Sequence, residues 1–237
     1  MEMIFLTLQF MSVSIIGFID SLRFPRIILP DSMIDGDGGV VTDPVDPGSS
    51  TTPSVTPSPE GYQRTVVFIE FQSQVGEDMF LRGGNRYDEN IPISYSHVSY
   101  PSAHYDGYNS WAVGDNYLDW HGAENGQGSY NGKQADGSPL AWTTNSPTSD
   151  PGYNSLNKYG KHYWMWDVEM DCSATTDGWF ELKGIVNGNW EGDITQPSSC
   201  SGSGSGSRPY SSHNHMAKCG FVNVFHFGRN NCQIDKL

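Results

Sequence analysis

The sequence predicts an all-β protein, built as an antiparallel β-sandwich with long loops. Three observations lead to this prediction. Several stretches after residue 62 alternate apolar and polar residues with the two-residue period of a strand. Gly, Asn and Ser residues that form turns separate those stretches. Long helical patterns are missing, and Phe, Trp and Tyr make up 13% of the 237 residues, a composition that suits a sandwich.

Five stretches of the predicted domain, residues 62–237, have a strand pattern. They are RTVVFIEFQ, DMFLRGG, HYWMWDVEMD, WFELKGIV and GFVNVFHFG. The fourth is expected to point Trp179 and Lys183 outward. The segment from 90 to 159 is rich in Gly, Asn and Tyr and is predicted to be mostly loop. One face of the third stretch is apolar and is assigned to the core: Trp164, Trp166, Val168 and Met170.

Residues 1–34 form a separate segment whose apolar residues alternate like those of a strand. A signal peptide is the alternative, but Glu2 is acidic and no small-residue cleavage site follows. The apolar run is too broken for a stable membrane span. A terminal apolar strand can complete a sheet in another subunit or pair within its own domain. For the first case we expect assembly contacts from Ile4, Leu6, Leu8 and Phe10.

Residues 35–61 are rich in Pro, Ser and Thr and predict an extended linker. A bare flexible linker is one interpretation. The other is an O-glycosylated stalk, with sugars on Thr51, Thr52, Ser54, Thr56 and Ser58.

The net charge of −14 argues against a nucleic-acid partner, because a phosphate-binding protein needs a basic face. An acidic, soluble surface is the plain interpretation of this charge. Acidic oxygens also suit calcium, and Asp115 and Asp119 in GDNYLDW are expected either to bind it or to cap a loop. No other cofactor is expected.

The four cysteines all lie in the last third of the chain and predict two disulfides and an extracellular location. Three pairings are open. A strand between Cys219 and Cys232 would carry the chain too far for those two to meet. We favour Cys200–Cys219 together with Cys172–Cys232.

Several segments carry a resemblance to a known family. They are VVFIEFQSQVGEDMFLRGG, GDNYLDWHGAE, PLAWTTN, YNSLNKYGKHYWMWDVEMDCS, WFELKGIVNGNWEGDI and NHMAKCGFVNVFHFG. Over residues 62–234 the chain resembles the extra C-terminal domain of some invertebrate and protist α-amylases. More distantly it resembles starch-binding domains of family 20. The resemblance implies an immunoglobulin-like sandwich that binds α-glucans.

The same resemblance assigns roles to two residues. In starch-binding domains a Trp-Glu turn exposes a ring that stacks on glucose, and a lysine on the neighbouring strand assists. Trp190 and Lys183 match those positions. A second ring is needed beside the first, and Trp120 is the candidate. The alternative is that Trp190 packs at an edge of the core.

The sequence does not indicate an enzyme. Carboxylates are numerous, but no spacing selects the facing pair that a glycosidase needs. We expect a non-enzymatic extracellular structural protein, a subunit of a glycoprotein fibre that polymerises head to tail with itself through its N-terminal strand. The alternative is a free-standing module that binds glycans.

Overall fold

The computed structural model describes residues 60–95, 114–130 and 133–237. In this part of the chain a 3-10 turn at Cys172–Ala174 is the only helical segment. The strands are β1 Tyr62–Glu70, β2 Met79–Gly84, β3 Ile91–Ser94, β4 Tyr117–Leu118, β5 Ser129–Tyr130, β6 Lys133–Gln134, β7 Ser138–Pro139, β8 Ala141–Thr143, β9 Tyr163–Asp171, β10 Trp179–Val186, β11 Asn189–Trp190, β12 His215–Lys218, β13 Phe221–His226 and β14 Cys232–Lys236.

Two main sheets face each other. The seven-stranded sheet has the order β14-β13-β1-β9-β3-β4, and β8 also pairs with β9. The five-stranded sheet has the order β11-β10-β2-β7, and β12 also pairs with β10. Strands β5 and β6 form a separate hairpin. The all-β sandwich predicted from the sequence is confirmed.

The main core lies between the two sheets. It receives the apolar face that the sequence assigns to it, from Trp164 to Met170 on β9. Phe180 and Leu182 on β10 pack against that face from the other sheet, and both are fully buried. Alternation along these two long strands arises because successive side chains point to opposite faces of a sheet.

One strand pair departs from the antiparallel prediction. Strand β1 pairs with β9 in antiparallel register but with β13 in parallel register, with Val66 opposite Val222. Consequently β13 starts at the end of the sheet where β9 finishes. Strand β14 runs back antiparallel to β13, with Phe225 opposite Cys232.

The predicted disulfide pairing is wrong, and this parallel pair explains why. The disulfides are Cys172–Cys219 and Cys200–Cys232, with Cα–Cα distances of 5.7 Å and 5.0 Å. Cys172 directly follows β9, and Cys219 directly precedes the turn into β13, so both lie at one end of the sheet. Cys232 lies at the other end, because six residues of strand span about 20 Å. The predicted separation of Cys219 from Cys232 by a strand agrees with β13.

The segment from 201 to 204 lies along the outer edge of β14. Ser201 N donates to the carbonyl of Cys232 at 3.2 Å, and Gly204 N donates to that of Ile234 at 2.9 Å. In return, Ile234 N donates to the carbonyl of Ser201 at 2.8 Å. This edge of the seven-stranded sheet is therefore already paired.

Trp179 does not point into solvent as predicted. Its side chain is only 5% exposed and belongs to the main core cluster. The loop after Ser201 lies next to it: a Cβ on Gly206 would be 4.0 Å from Trp179 Cζ2. The Lys218 ammonium lies 6.0 Å from the Trp179 ring centre. A covering loop thus buries a position that strand alternation alone assigns to the surface.

Within the described residues, the segment from 90 to 159 contains only strands of two to four residues, β3 to β8. Parts of it, residues 119–128 and 134–137, lie on the outer face of the five-stranded sheet. There Ala123 and Ala135 pack with Phe80 and Ile185. This segment contributes Trp120 to the candidate site described below.

Candidate functional site

The turn that carries Trp190 is a two-residue hairpin loop. Val186 pairs with Asn189 and Ile185 pairs with Trp190, so Asn187 and Gly188 form the loop. Both have positive φ, 50° and 73°, as the type I′ turn favoured in tight hairpins requires. Asn-Gly is the dipeptide that adopts this turn most readily. The loop returns the chain so that the Trp190 ring lies on the outer face of the sheet.

Trp120 and Trp190 lie side by side on that face and are called the tryptophan pair below. Their ring centres are 6.3 Å apart and their planes differ by 28°. Trp190 is 44% exposed, which makes it an exception among large hydrophobic residues. Trp120 is half-buried. The two rings that the sequence selects, from distant segments, are brought together here.

The separation of the rings limits where a ligand can bind. A flat ligand between two ring faces needs about 3.5–4 Å on each side, or about 7–8 Å in total. At 6.3 Å the indoles instead form an offset stacked pair with each other. The space between the two rings is therefore too narrow for a flat ligand, and the accessible aromatic surface of the pair is the exposed part of the Trp190 ring.

Arg82 connects the two tryptophans. It lies on β2 opposite Lys183, and its guanidinium carbon is 5.1 Å from the Trp190 ring centre. Its Nη1 donates to the carbonyl of Trp120 at 3.4 Å, and its Nε donates to the carbonyl of Asp136. A cation over an indole face attracts the ring electrostatically. Arg82 thus fixes the segments that contain Trp120 and Asp136 relative to the exposed Trp190 ring.

Glu191, next to Trp190, is buried and holds the turn in place. Its Oε1 accepts a hydrogen bond from His215 Nε2 at 2.8 Å and another from Gly228 N. Its Oε2 accepts from Gly184 N at 3.1 Å. Only 2% of Glu191 is exposed, and His215 is fully buried against the Phe225 ring. Adjacent residues therefore have opposite roles: Glu191 anchors the turn, and Trp190 faces solvent.

Lys183 forms an ion pair beside the tryptophan pair. Its Nζ lies 2.6 Å from Asp193 Oδ1. The hydrogen bond from Lys183 and its charge hold the pKa of Asp193 below its usual range. The Asp193 side chain is 74% exposed and that of Lys183 only 13%. The carboxylate is therefore the more accessible partner, with lone pairs available to a hydroxyl group.

The two aspartates predicted to bind calcium have different surroundings. Asp119 caps a turn: its Oδ1 accepts from His121 N at 2.7 Å and from Gly122 N at 3.1 Å. Asp115 accepts from the Ser138 hydroxyl at 2.8 Å. Burial, together with a hydrogen bond to Glu124, raises the pKa of Asp115 to about 8. Within the described residues, no group of three His, Cys, Asp or Glu side chains is arranged to hold a metal ion.

Two sets of predicted residues lie outside the described residues, together with the whole of segment 1–34 and all but the end of the linker. One is the assembly set, Ile4, Leu6, Leu8 and Phe10. The other is the O-glycosylation set, Thr51, Thr52, Ser54, Thr56 and Ser58.

Sequence reasoning missed Arg82 and the anchoring role of Glu191 with His215. The alternation of MFLRGG does place Arg82 on the same face as Phe80, but nothing local shows which ring lies above it. Glu191 looks like one more surface carboxylate. A signal for it was available: an acidic residue directly after a hairpin tryptophan can accept backbone N–H bonds that hold the turn.

No protein-family model, curated protein or solved structure matches this chain. In the described part of the chain, no helix has both the length and the hydrophobicity to cross a bilayer.

Proposed function

We propose that the sandwich binds carbohydrate, an α-glucan chain, through the tryptophan pair. The observation that carries this proposal is the exposed Trp190 ring, stacked against Trp120 and held by Arg82. Contiguous exposed apolar surfaces on a soluble protein often mark ligand-binding sites, and the two rings form such a surface. The resemblance to glucan-binding domains supports the same ligand class.

The chemistry of the site suits a sugar. A pyranose ring has an apolar face of C–H groups and an edge of hydroxyl groups. The indole of Trp190 offers a flat apolar surface to the first. The exposed Asp193 carboxylate, held by Lys183, accepts hydrogen bonds from the second.

The site is also organised before a ligand arrives. Glu191 fixes the turn through three hydrogen bonds. Arg82 lies over the Trp190 ring and also bonds to the backbone of Trp120, so it holds the two in place. Ordering a side chain on binding costs about 0.5–1.5 kcal/mol, and a ring already held in place avoids that cost.

Replacement of the exposed ring tests this function. Trp190→Ala should weaken binding of maltoheptaose by about tenfold or more, equivalent to 1.4 kcal/mol, measured by isothermal titration calorimetry. Tyr87→Ala is the matched control, because Tyr87 is an aromatic residue that is 69% exposed elsewhere. It should bind like the wild type. Wild-type protein that binds no maltoheptaose, or a Trp190→Ala protein with unchanged affinity, would overturn the proposal.

An extracellular fibre subunit is a second proposal, and it is compatible with the first. Its support is the alternating apolar pattern of residues 4–10 and the presence of two disulfides, which are common outside the cell. A strand donated by another copy would have to pair at an edge other than that of β14, which residues 201–204 occupy.

Charge placed on the alternating face tests the fibre proposal. Leu6→Asp in the full chain should abolish filaments seen by negative-stain electron microscopy, because the donated side chain would be buried. Thr7→Asp, on the opposite face, is the control and should still form filaments. Filaments in the Leu6→Asp protein, or none in the wild type, would count against assembly through this segment.

A further inference from the structure

The hairpin turn beside Trp190 contains a chemically reactive dipeptide, Asn187–Gly188. Both residues of the dipeptide are exposed. No heavy atom lies within 4 Å of the place where a Cβ of Gly188 would be, apart from its own atoms and those of its chain neighbours. In an Asn-Gly pair the glycine nitrogen can attack the side-chain amide carbon of the asparagine, because glycine has no side chain to obstruct the approach. Asparagine is accordingly one of the thermolabile residues of proteins.

The reaction of this dipeptide is a spontaneous deamidation, and water is its only co-reactant. The Gly188 nitrogen gives up its proton and forms a bond to Asn187 Cγ. The bond from Cγ to Nδ2 breaks, the side-chain nitrogen leaves as ammonia, and a cyclic imide remains. Water then opens the imide at either carbonyl. Opening at Cγ gives aspartate, and opening at the backbone carbonyl gives isoaspartate, in which the main chain runs through the side chain.

Asn189 favours the first step of this reaction. Its Nδ2 donates a hydrogen bond to the carbonyl oxygen of Asn187 at 3.2 Å. That oxygen and the Gly188 nitrogen belong to the same peptide group. A donor on the oxygen therefore stabilises the negative charge that develops when the nitrogen loses its proton. The bond raises the fraction of the peptide group that is ready to attack Cγ.

Glu77 opposes the same reaction. Its Oε1 accepts a hydrogen bond from Asn187 Nδ2 at 2.9 Å, and its Oε2 accepts one from Gln74 N at 2.6 Å. The first bond ties the Asn187 amide to the loop of residues 73–78 and restricts the rotation that brings Cγ onto the Gly188 nitrogen. The carboxylate also disfavours a second negative charge on the neighbouring peptide group. Glu77 therefore slows a reaction that the dipeptide and Asn189 promote.

We propose that Asn187 is a site of spontaneous deamidation whose rate Glu77 controls, so that the turn beside Trp190 has a limited chemical lifetime. Neither product fits the turn. An aspartate at this position faces the Glu77 carboxylate, and the two like charges repel. An isoaspartate adds a backbone carbon to a two-residue loop whose pairing places Ile185 opposite Trp190. Either product displaces the Trp190 ring, and the resulting loss of sugar binding rests on the proposed function.

Peptide mapping by mass spectrometry tests the site without any ligand. The full chain is aged in warm, mildly alkaline buffer, and aspartate and isoaspartate at residue 187 are followed with time. Asn125–Gly126 is the internal reference, because Asn125 is exposed and no described residue holds its amide. In the wild type Asn187 should convert more slowly than Asn125. Glu77→Ala should speed the conversion of Asn187 by about threefold or more and leave that of Asn125 unchanged. Glu77→Gln keeps an acceptor oxygen and should give an intermediate rate.

The effect on the tryptophan pair is measured separately. Asn187→Asp has the composition of one product and should bind maltoheptaose about threefold or more weakly than the wild type. Asn231→Asp, at an exposed position on the other sheet, is the control and should bind normally. No conversion of Asn187, or equal rates in Glu77→Ala and the wild type, would overturn the deamidation site and keep the proposed function. Conversion under the control of Glu77 in a protein that binds no maltoheptaose would do the reverse.

Discussion

Strands β9 and β11 both carry tryptophans, but the two regions use them in opposite ways. Strand β9 has nine residues and pairs with β1, β3 and β8, so Trp166 is fully buried between two sheets. Strand β11 has two residues and, among the described strands, pairs only with β10; its Trp190 is 44% exposed. The difference shows that pairing and coverage, more than residue type, decide whether a ring is buried in the fold or exposed to solvent.

Trp166→Ala should have the largest effect on stability. Removing a fully buried indole leaves a cavity and costs about 3–5 kcal/mol of the free energy of unfolding. It also removes the hydrogen bond from Trp166 Nε1 to the Tyr95 hydroxyl, 2.8 Å long. Urea unfolding measures the loss. Trp166→Phe is the control and should cost less. A loss below about 1 kcal/mol for the alanine variant would contradict the assignment of this ring to the core.

Glu191→Ala should have the next largest effect, although Glu191 is the direct neighbour of the exposed ring. The change leaves His215 Nε2 and the N–H groups of Gly184 and Gly228 buried without their acceptor. Unsatisfied buried donors of this kind cost about 2–4 kcal/mol in total. Thermal and urea unfolding measure the change. Asp193→Ala, on the exposed side of the same turn, should leave stability nearly unchanged. Equal effects of the two substitutions would show that Glu191 does not anchor the turn.

The contribution of Asp115 to the stability of the domain should fall as the pH rises from about 4 to about 8. The folded protein keeps a proton on Asp115 up to a pKa of about 8, whereas the unfolded chain releases it near pH 4. Within that window the folded state binds more protons, so stability decreases by about 1.4 kcal/mol per pH unit from this group. Above pH 8 the contribution is lost and the slope ends.

Asp115→Asn checks this assignment. The amide stays neutral, so urea unfolding of the variant should lack the slope that Asp115 contributes between pH 5 and pH 8. Wild type and variant with parallel pH profiles would show that Asp115 titrates normally.

Trp190→Ala should destabilise the fold less than Trp166→Ala or Glu191→Ala, although it removes an exposed ring of the candidate site. It loses the contact with Arg82 and the stacking on Trp120, together about 1 kcal/mol. The comparison with Trp166→Ala is made under the same urea conditions. A loss of several kcal/mol would place Trp190 in the core and remove the support for a sugar site.

Local pattern was sufficient for part of this fold. Alternation correctly assigned Trp164 and Trp166 to the core, since the two-residue period fixes the face of a strand whatever its partners are. The same pattern failed for Trp179, because a distant loop covers it. The alternation of apolar and polar residues is the same in parallel and antiparallel strands. The parallel pairing of β1 with β13 could therefore not be predicted from it.

The candidate site was predictable only in its parts. The hairpin turn and its tryptophan could be read from adjacent residues. The contact between Trp120 and Trp190 depends on how residues 119–128 fold across a sheet, which cannot be predicted from local sequence patterns. Arg82 was missed for the same reason, because its role exists only after β2 pairs with β10.

The central place of β1 in the seven-stranded sheet has a consequence for biosynthesis. Strand β1 is the first of the described strands to be synthesised, and β13, which covers one of its flanks, is the last but one. Until β13 has been synthesised, the N–H and C=O groups on that flank have no partner from it. Contacts between such distant segments form slowly, because a long loop has to close first. The Cys172–Cys219 disulfide likewise can form only after Cys219 has been synthesised. The sheet therefore closes only after β13 has been made, and until then β1 is an open edge on which a second nascent chain can pair.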